Sequence, residues 1–183
     1  MSNTKQNKLK NEIQYILKNM SLDPQEIIKS SEDYFEAVER LKIAKDLLVR
    51  ITIIGHYVFI NELLDVIICN YFFGKNASKR KKRYKLFSQH ILERLTLPNK
   101  LALLSEFLIF PKNVNDFIYA INGLRNAFAH SFFPENRIRE KPIYKKKDIY
   151  KIVVLDVYYE DYVKVQDFLL EKSYNIKSEV DST

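Results

Sequence analysis

The residues that interrupt regular structure are scarce: 3 Gly and 5 Pro occur in 183 positions. Long elements are therefore favoured, and with 46% apolar residues they can bury a core. A single cysteine, Cys69, excludes an intrachain disulfide framework and fits a packed thiol in a reducing compartment. No unbroken apolar run suits a bilayer. The richest stretch, Ile51 to Phe73, is interrupted by Gly55, His56, Asn61, Glu62, Asp65 and Asn70, and the first residues are polar with no apolar leader. A soluble cytoplasmic protein with no membrane partner is expected. The three histidines, His56, His90 and His130, lie far apart. With no CxxC, HExxH or acidic-loop spacing, no metal ligand set is expected. A Gly-rich phosphate loop is missing too, so no cofactor is expected, and no Ser or Cys nucleophile stands beside a base.

What is present begins with charge. The net charge of +7 is concentrated between Lys75 and Lys85, where seven Lys/Arg and no acid occur, leaving 23 basic and 23 acidic residues elsewhere. This block reads as a solvated loop whose Lys79, Arg80, Lys81, Lys82, Arg83 and Lys85 are candidate RNA phosphate contacts.

Periodicity supplies the elements, and the reading is all-α with about five to seven helices. A first helix is expected over about Lys8 to Met20, within an N-terminal arm of residues 1–30. Asp23-Pro24-Gln25-Glu26 has the form of a cap, Ser31 is the expected cap of the next helix, and Tyr34 to Ile51 is amphipathic. Ile53 to Tyr71 has a wider apolar face and reads as the central helix, continuing its predecessor with a bend near Thr52–Gly55. Short helices follow over about Leu86 to Leu95 and from Pro98 to Leu108. Asn113 to His130 is a clear helix with two stripes: Phe117, Ile121, Leu124 and Phe128 inward, and Asn115, Tyr119, Asn122, Asn126 and His130 on another face. A short β element is expected near 149–157, then a final helix from Tyr158 to Lys172. The main domain thus covers 31–172, and residues 173–183 read as a disordered tail.

Arg125, Asn126 and His130 carry the candidate chemistry. An Arg followed by a His after four to six residues occurs three times, at Arg50/His56, Arg83/His90 and Arg125/His130, so spacing alone does not select. Only Arg125 is followed directly by Asn, within a helix that has a separate polar stripe. Together with the wide apolar helix from Gly55 to Phe73 and Asn99-Lys100-Leu101-Ala102-Leu103-Leu104, the segment Leu124-Arg125-Asn126-Ala127-Phe128-Ala129-His130-Ser131 resembles the HEPN superfamily. The order over about Ile51 to Phe133 is similar to its mannitol-operon-repressor-like branch.

The resemblance implies a HEPN-like helical bundle and a metal-independent endoribonuclease, a toxin or defence effector with an antitoxin or regulatory protein as partner. The alternative it implies is a non-catalytic RNA- or nucleotide-binding or regulatory module, because some members of that branch look regulatory. Residue chemistry fits the first reading. Asn126 and His130 share a helix face, with Arg125 about a third of a turn away. A guanidinium can clamp two phosphate oxygens, and imidazole can move a proton near neutral pH. One chain supplies one such His, whereas cleavage benefits from an acid and a base. A symmetric homodimer packed through the Asn113–His130 helix is expected, with Gly123, Ala127 and Ala129 allowing close approach.

Overall fold

The computed structural model describes residues 22–74, 81–129 and 142–175. Among these residues the fold is all-α, with six α-helices and one small hairpin. The helices are α1 (Pro24–Ser30), α2 (Tyr34–Phe73), α3 (Lys81–His90), α4 (Leu97–Ser105), α5 (Lys112–Ala129) and α6 (Ile152–Asn175). Strands β1 (Ile143–Tyr144) and β2 (Lys147–Asp148) pair antiparallel between α5 and α6. The chain divides into two compact units, one ending at Arg50 and the other starting at Ile51. The helix expected over Lys8 to Met20 lies outside the described residues.

In the N-terminal unit, α1 starts as its sequence implies: Asp23 accepts a hydrogen bond from the Gln25 amide at 2.8 Å, with Pro24 in the first turn. Ser31 does not cap the next helix as expected. Its hydroxyl donates to the Ile27 carbonyl at 2.7 Å and so closes α1. The cap of α2 is Asp33, which accepts from the Glu36 amide at 2.8 Å, while the Glu36 carboxylate accepts from the Glu32 amide. One orphan donor of the first turn, the Glu36 amide, is thereby satisfied, and the Glu32 amide just before the cap is paired as well.

The second unit is organised on the rest of α2, which runs unbroken through Thr52–Gly55 where a bend was expected. Ile53, Ile60, Leu64, Ile67 and Ile68 are fully buried, at the helical spacing seen in the sequence. Length and apolarity would also suit a membrane-crossing helix. Here, however, α2 bonds its neighbours through polar groups: Asn70 donates to the Ser173 carbonyl of α6 at 2.9 Å, and Asn61 and Asp65 receive Lys100 of α4. Lys100 is 1% exposed, and its ammonium lies 2.9 Å from Asn61 Oδ1 and 2.6 Å from Asp65 Oδ1. A buried cation is tolerable only when paired in this way.

Three expected boundaries move. The helix expected over about Leu86 to Leu95 starts earlier, so the basic block is no simple loop: Lys81 opens α3, which ends at His90 before a 3-10 turn at Leu92–Arg94. The β element expected near 149–157 is a correction of place and type. The hairpin lies upstream, and residues 152–157 open α6, because Val154, Tyr158, Tyr162, Val165 and Leu169 form one buried helical stripe that overrides the β preference of Ile152, Val153 and Val157. The disordered tail expected from Ser173 also starts too early, since Ser173 is buried within α6 and hydrogen-bonded; residues 176–183 lie outside the described residues.

Candidate functional site

Helix α5 presents the two stripes its spacing implies. Phe117, Ile121, Leu124 and Phe128 are buried, while Tyr119, Gly123, Asn126 and Ala129 are exposed and Asn122 half-exposed. Arg125 and Asn126 lie toward its C-terminal end, where buried Leu124 and Phe128 anchor the backbone and leave Arg125 half-buried and Asn126 exposed. Arg125 Nη1 donates to Asn126 Oδ1 at 3.1 Å, and its guanidinium carbon lies 5.5 Å from the centroid of the Tyr57 ring. The ring supports the planar cation on one side. The remaining N–H groups have no protein acceptor among the described residues.

The chemical consequence depends on what Arg125 does not hold. Glu62 and Asp65 on α2 are the obvious carboxylate partners for a structural arginine, but Asp65 is engaged by Lys100 and neither forms an ion pair with Arg125. Among the described residues Arg125 therefore keeps a fork of donors that no acid engages, beside the Asn126 amide, an arrangement that can receive two oxygens of a phosphate. His130, the third candidate, lies outside the described residues.

Of the basic residues, Lys82, Arg83 and Lys85 are exposed on α3. Lys79 and Arg80 lie outside the described residues, as does the side chain of Lys81. The first turn of α3 holds no acid, so its cations face the positive end of the helix dipole without compensation. No contact among the described residues joins them to Arg125.

The other two histidines serve differently. His56 stacks on Tyr162 with centroids 3.6 Å apart, and its Nδ1 is 3.1 Å from the Tyr158 hydroxyl. Burial lowers its pKa to about 4, so it is neutral at physiological pH. Tyr158 is fully buried and its phenol titrates above the ordinary range, chiefly through burial, so it stays a neutral hydroxyl that shares a hydrogen bond with His56 Nδ1, the direction following the imidazole tautomer. This joins α2 to α6 and makes His56 a packed histidine. His90 closes α3 and is exposed.

Cys69 is buried, and burial followed by the nearby Asp65 charge pushes its thiol up to about 11, which removes it as a nucleophile. Among the described residues, no group of three or more His, Cys, Asp or Glu is placed to hold a metal ion. Sequence reasoning did not identify Tyr57 as the support of Arg125, since an aromatic at helical spacing in an apolar run gives no sign of a cation above it. No protein-family model, curated protein or solved structure matches the chain.

Proposed function

We propose that this protein is an endoribonuclease of the HEPN kind, in which Arg125 and Asn126 bind the scissile phosphate and His130 transfers protons. The observation that carries the reading is the Arg125 guanidinium, 5.5 Å from the Tyr57 ring centroid, bonded to Asn126 and without a carboxylate partner among the described residues. An arginine that only stabilised the fold would be expected to answer a neighbouring acid. This one presents donors to solvent beside a second polar group.

In the proposed reaction the ribose 2′-oxygen attacks phosphorus while one His130 imidazole takes its proton. The bond from phosphorus to the 5′-oxygen breaks, and a protonated imidazole from a second copy supplies the leaving group with a proton. The products are a 2′,3′-cyclic phosphate and a 5′-hydroxyl. Arg125 neutralises the charge that grows on the equatorial oxygens. RNA is the proposed substrate, a homodimer the proposed active form and the cytoplasm its proposed location.

Purified protein incubated with end-labelled RNA, with and without a chelator, tests the reading. Cleavage that persists in chelator and leaves cyclic phosphate ends is the expected result. Tight RNA binding without cleavage would favour the non-catalytic module, and neither binding nor cleavage would remove the reading altogether.

A further inference from the structure

Helix α5 carries polar groups that the proposed chemistry does not use. Asn115, Tyr119, Asn122 and Asn126 recur at four-, three- and four-residue intervals and so lie in one line along the helix. Tyr119 is 54% exposed, yet makes no ring contact and no side-chain hydrogen bond among the described residues. Asn122 is half-buried and makes no side-chain hydrogen bond either. The side-chain oxygen of Asn115 is buried with no donor opposite it, a costly state for the fold. That amide forfeits no hydrogen bond when it turns outward. The line runs up to Arg125 and Asn126, where the proposed phosphate contact lies. At 1.5 Å per residue, Tyr119 stands about 9 Å from Arg125 along the axis and Asn115 about 15 Å, the length of a few nucleotides in a single strand.

We infer that this face of α5 binds an unpaired stretch of RNA beside the scissile phosphate, with a base stacked on Tyr119 and base edges hydrogen-bonded to Asn122 and Asn115. The inference rests on the ribonuclease reading for the position of the phosphate. Charge sets the direction of the strand across the face. By helical geometry Arg125 borders the line on one edge and exposed Asp116 borders it on the other, and Lys112, a turn before Asp116, forms no ion pair with it. The phosphates therefore follow the Arg125 edge, and the bases turn over Asn122 toward Tyr119. A phenol ring accepts the face of any base, whereas an amide sets a donor beside an acceptor and so reads the edge of a particular one. Both features are open only in unpaired RNA, because a duplex stacks its base faces and pairs its edges.

Fluorescence anisotropy with a short 2′-O-methyl single strand, which lacks the attacking hydroxyl and so cannot be cut, tests this apart from cleavage. Wild type should bind that strand more tightly than a duplex of the same sequence. Tyr119→Ala should raise Kd about tenfold, as loss of one stacked base implies, with the slope of log affinity against log salt unchanged because the ring carries no charge. Tyr119→Phe should bind within about twofold of wild type, since the stacking face is kept. Asn115→Ala with Asn122→Ala should change the order of affinity among poly(A), poly(C) and poly(U) strands. All these variants should melt with wild type. Equal affinity of Tyr119→Ala and wild type, or equal binding of duplex and single strand, would overturn the inference. So would a Tyr119→Ala variant that binds RNA normally and loses self-association, which would return the face to a dimer contact. If the single strand binds as stated and unmodified RNA is never cut, the α5 face stands and only the ribonuclease reading fails.

Discussion

At the residue scale, the second unit depends on polar groups that composition gives no reason to place inside. Lys100 is the clearest. A lysine beside Asn99 in a short helix reads as exposed, yet it shares the inward face of Leu97, Leu101 and Leu104, and Asn61 and Asp65, four residues apart on the apolar α2, form its receptor. The signal was the pair of polar residues at that spacing, legible only once α4 is known to pack there. Lys100→Ala should cost about 3–5 kcal/mol in urea unfolding, since it leaves the Asp65 carboxylate unpaired, and Lys100→Met with Asp65→Leu should recover much of the loss. His56 gives a prediction of opposite visibility, in pH. Its folded pKa, near 4, lies below the unfolded value of about 6.5. The unfolded chain therefore binds the extra proton between these values, and stability falls as pH is lowered from about 6.5 to 4. Melting curves across that range should show the slope, and His56→Phe should flatten it.

At the element scale, legibility followed the strength of the local pattern. α5 was readable because Phe117, Ile121, Leu124 and Phe128 repeat without a competing signal, and α1 because Asp23 and Pro24 mark its start. Where two local signals compete, packing decides. Ser31 and Asp33 both suit a cap, and Ser31 is used to end α1 instead. The hairpin was illegible because Lys145 and Lys146 take left-handed backbone at φ 47° and 65°, without the Gly or Asn such a turn favours. Asp161 helps hold it, accepting from the Tyr144 hydroxyl and pairing with Lys145 at 2.6 Å.

The start of α3 was missed for an electrostatic reason, as Lys82 and Arg83 oppose the dipole of the helix that contains them. Such an arrangement gains from a polyanion. Replacing Lys82, Arg83 and Lys85 with Gln should weaken single-stranded RNA binding and reduce the slope of log affinity against log salt by up to about 2, at roughly 0.7 per phosphate contact. An unchanged slope by fluorescence anisotropy would show that these cations do not touch RNA.

At the scale of the whole molecule, an all-α fold holds Arg125 beside Asn126 toward the end of α5, where the proposed phosphate contact lies. Of the candidate site, the helix and its stripes were legible: Arg125 and Asn126 were chosen from their helical context, and these neighbours in the chain are hydrogen-bonded at 3.1 Å, while His130 lies outside the described residues. The Tyr57 support was not foreseen, because it arises from which faces of long helices remain uncovered. The central claim is that the Arg125 site performs chemistry and does not merely stabilise α5. Its most direct test is cleavage of labelled RNA in chelator by wild type, Arg125→Ala and His130→Ala, with melting temperatures measured alongside. The account predicts that wild type cuts, and that each variant loses about 100-fold or more in rate while melting within a few degrees of wild type. A wild type that never cuts, with variants that melt well below it, would contradict the claim and return Arg125 to a structural role.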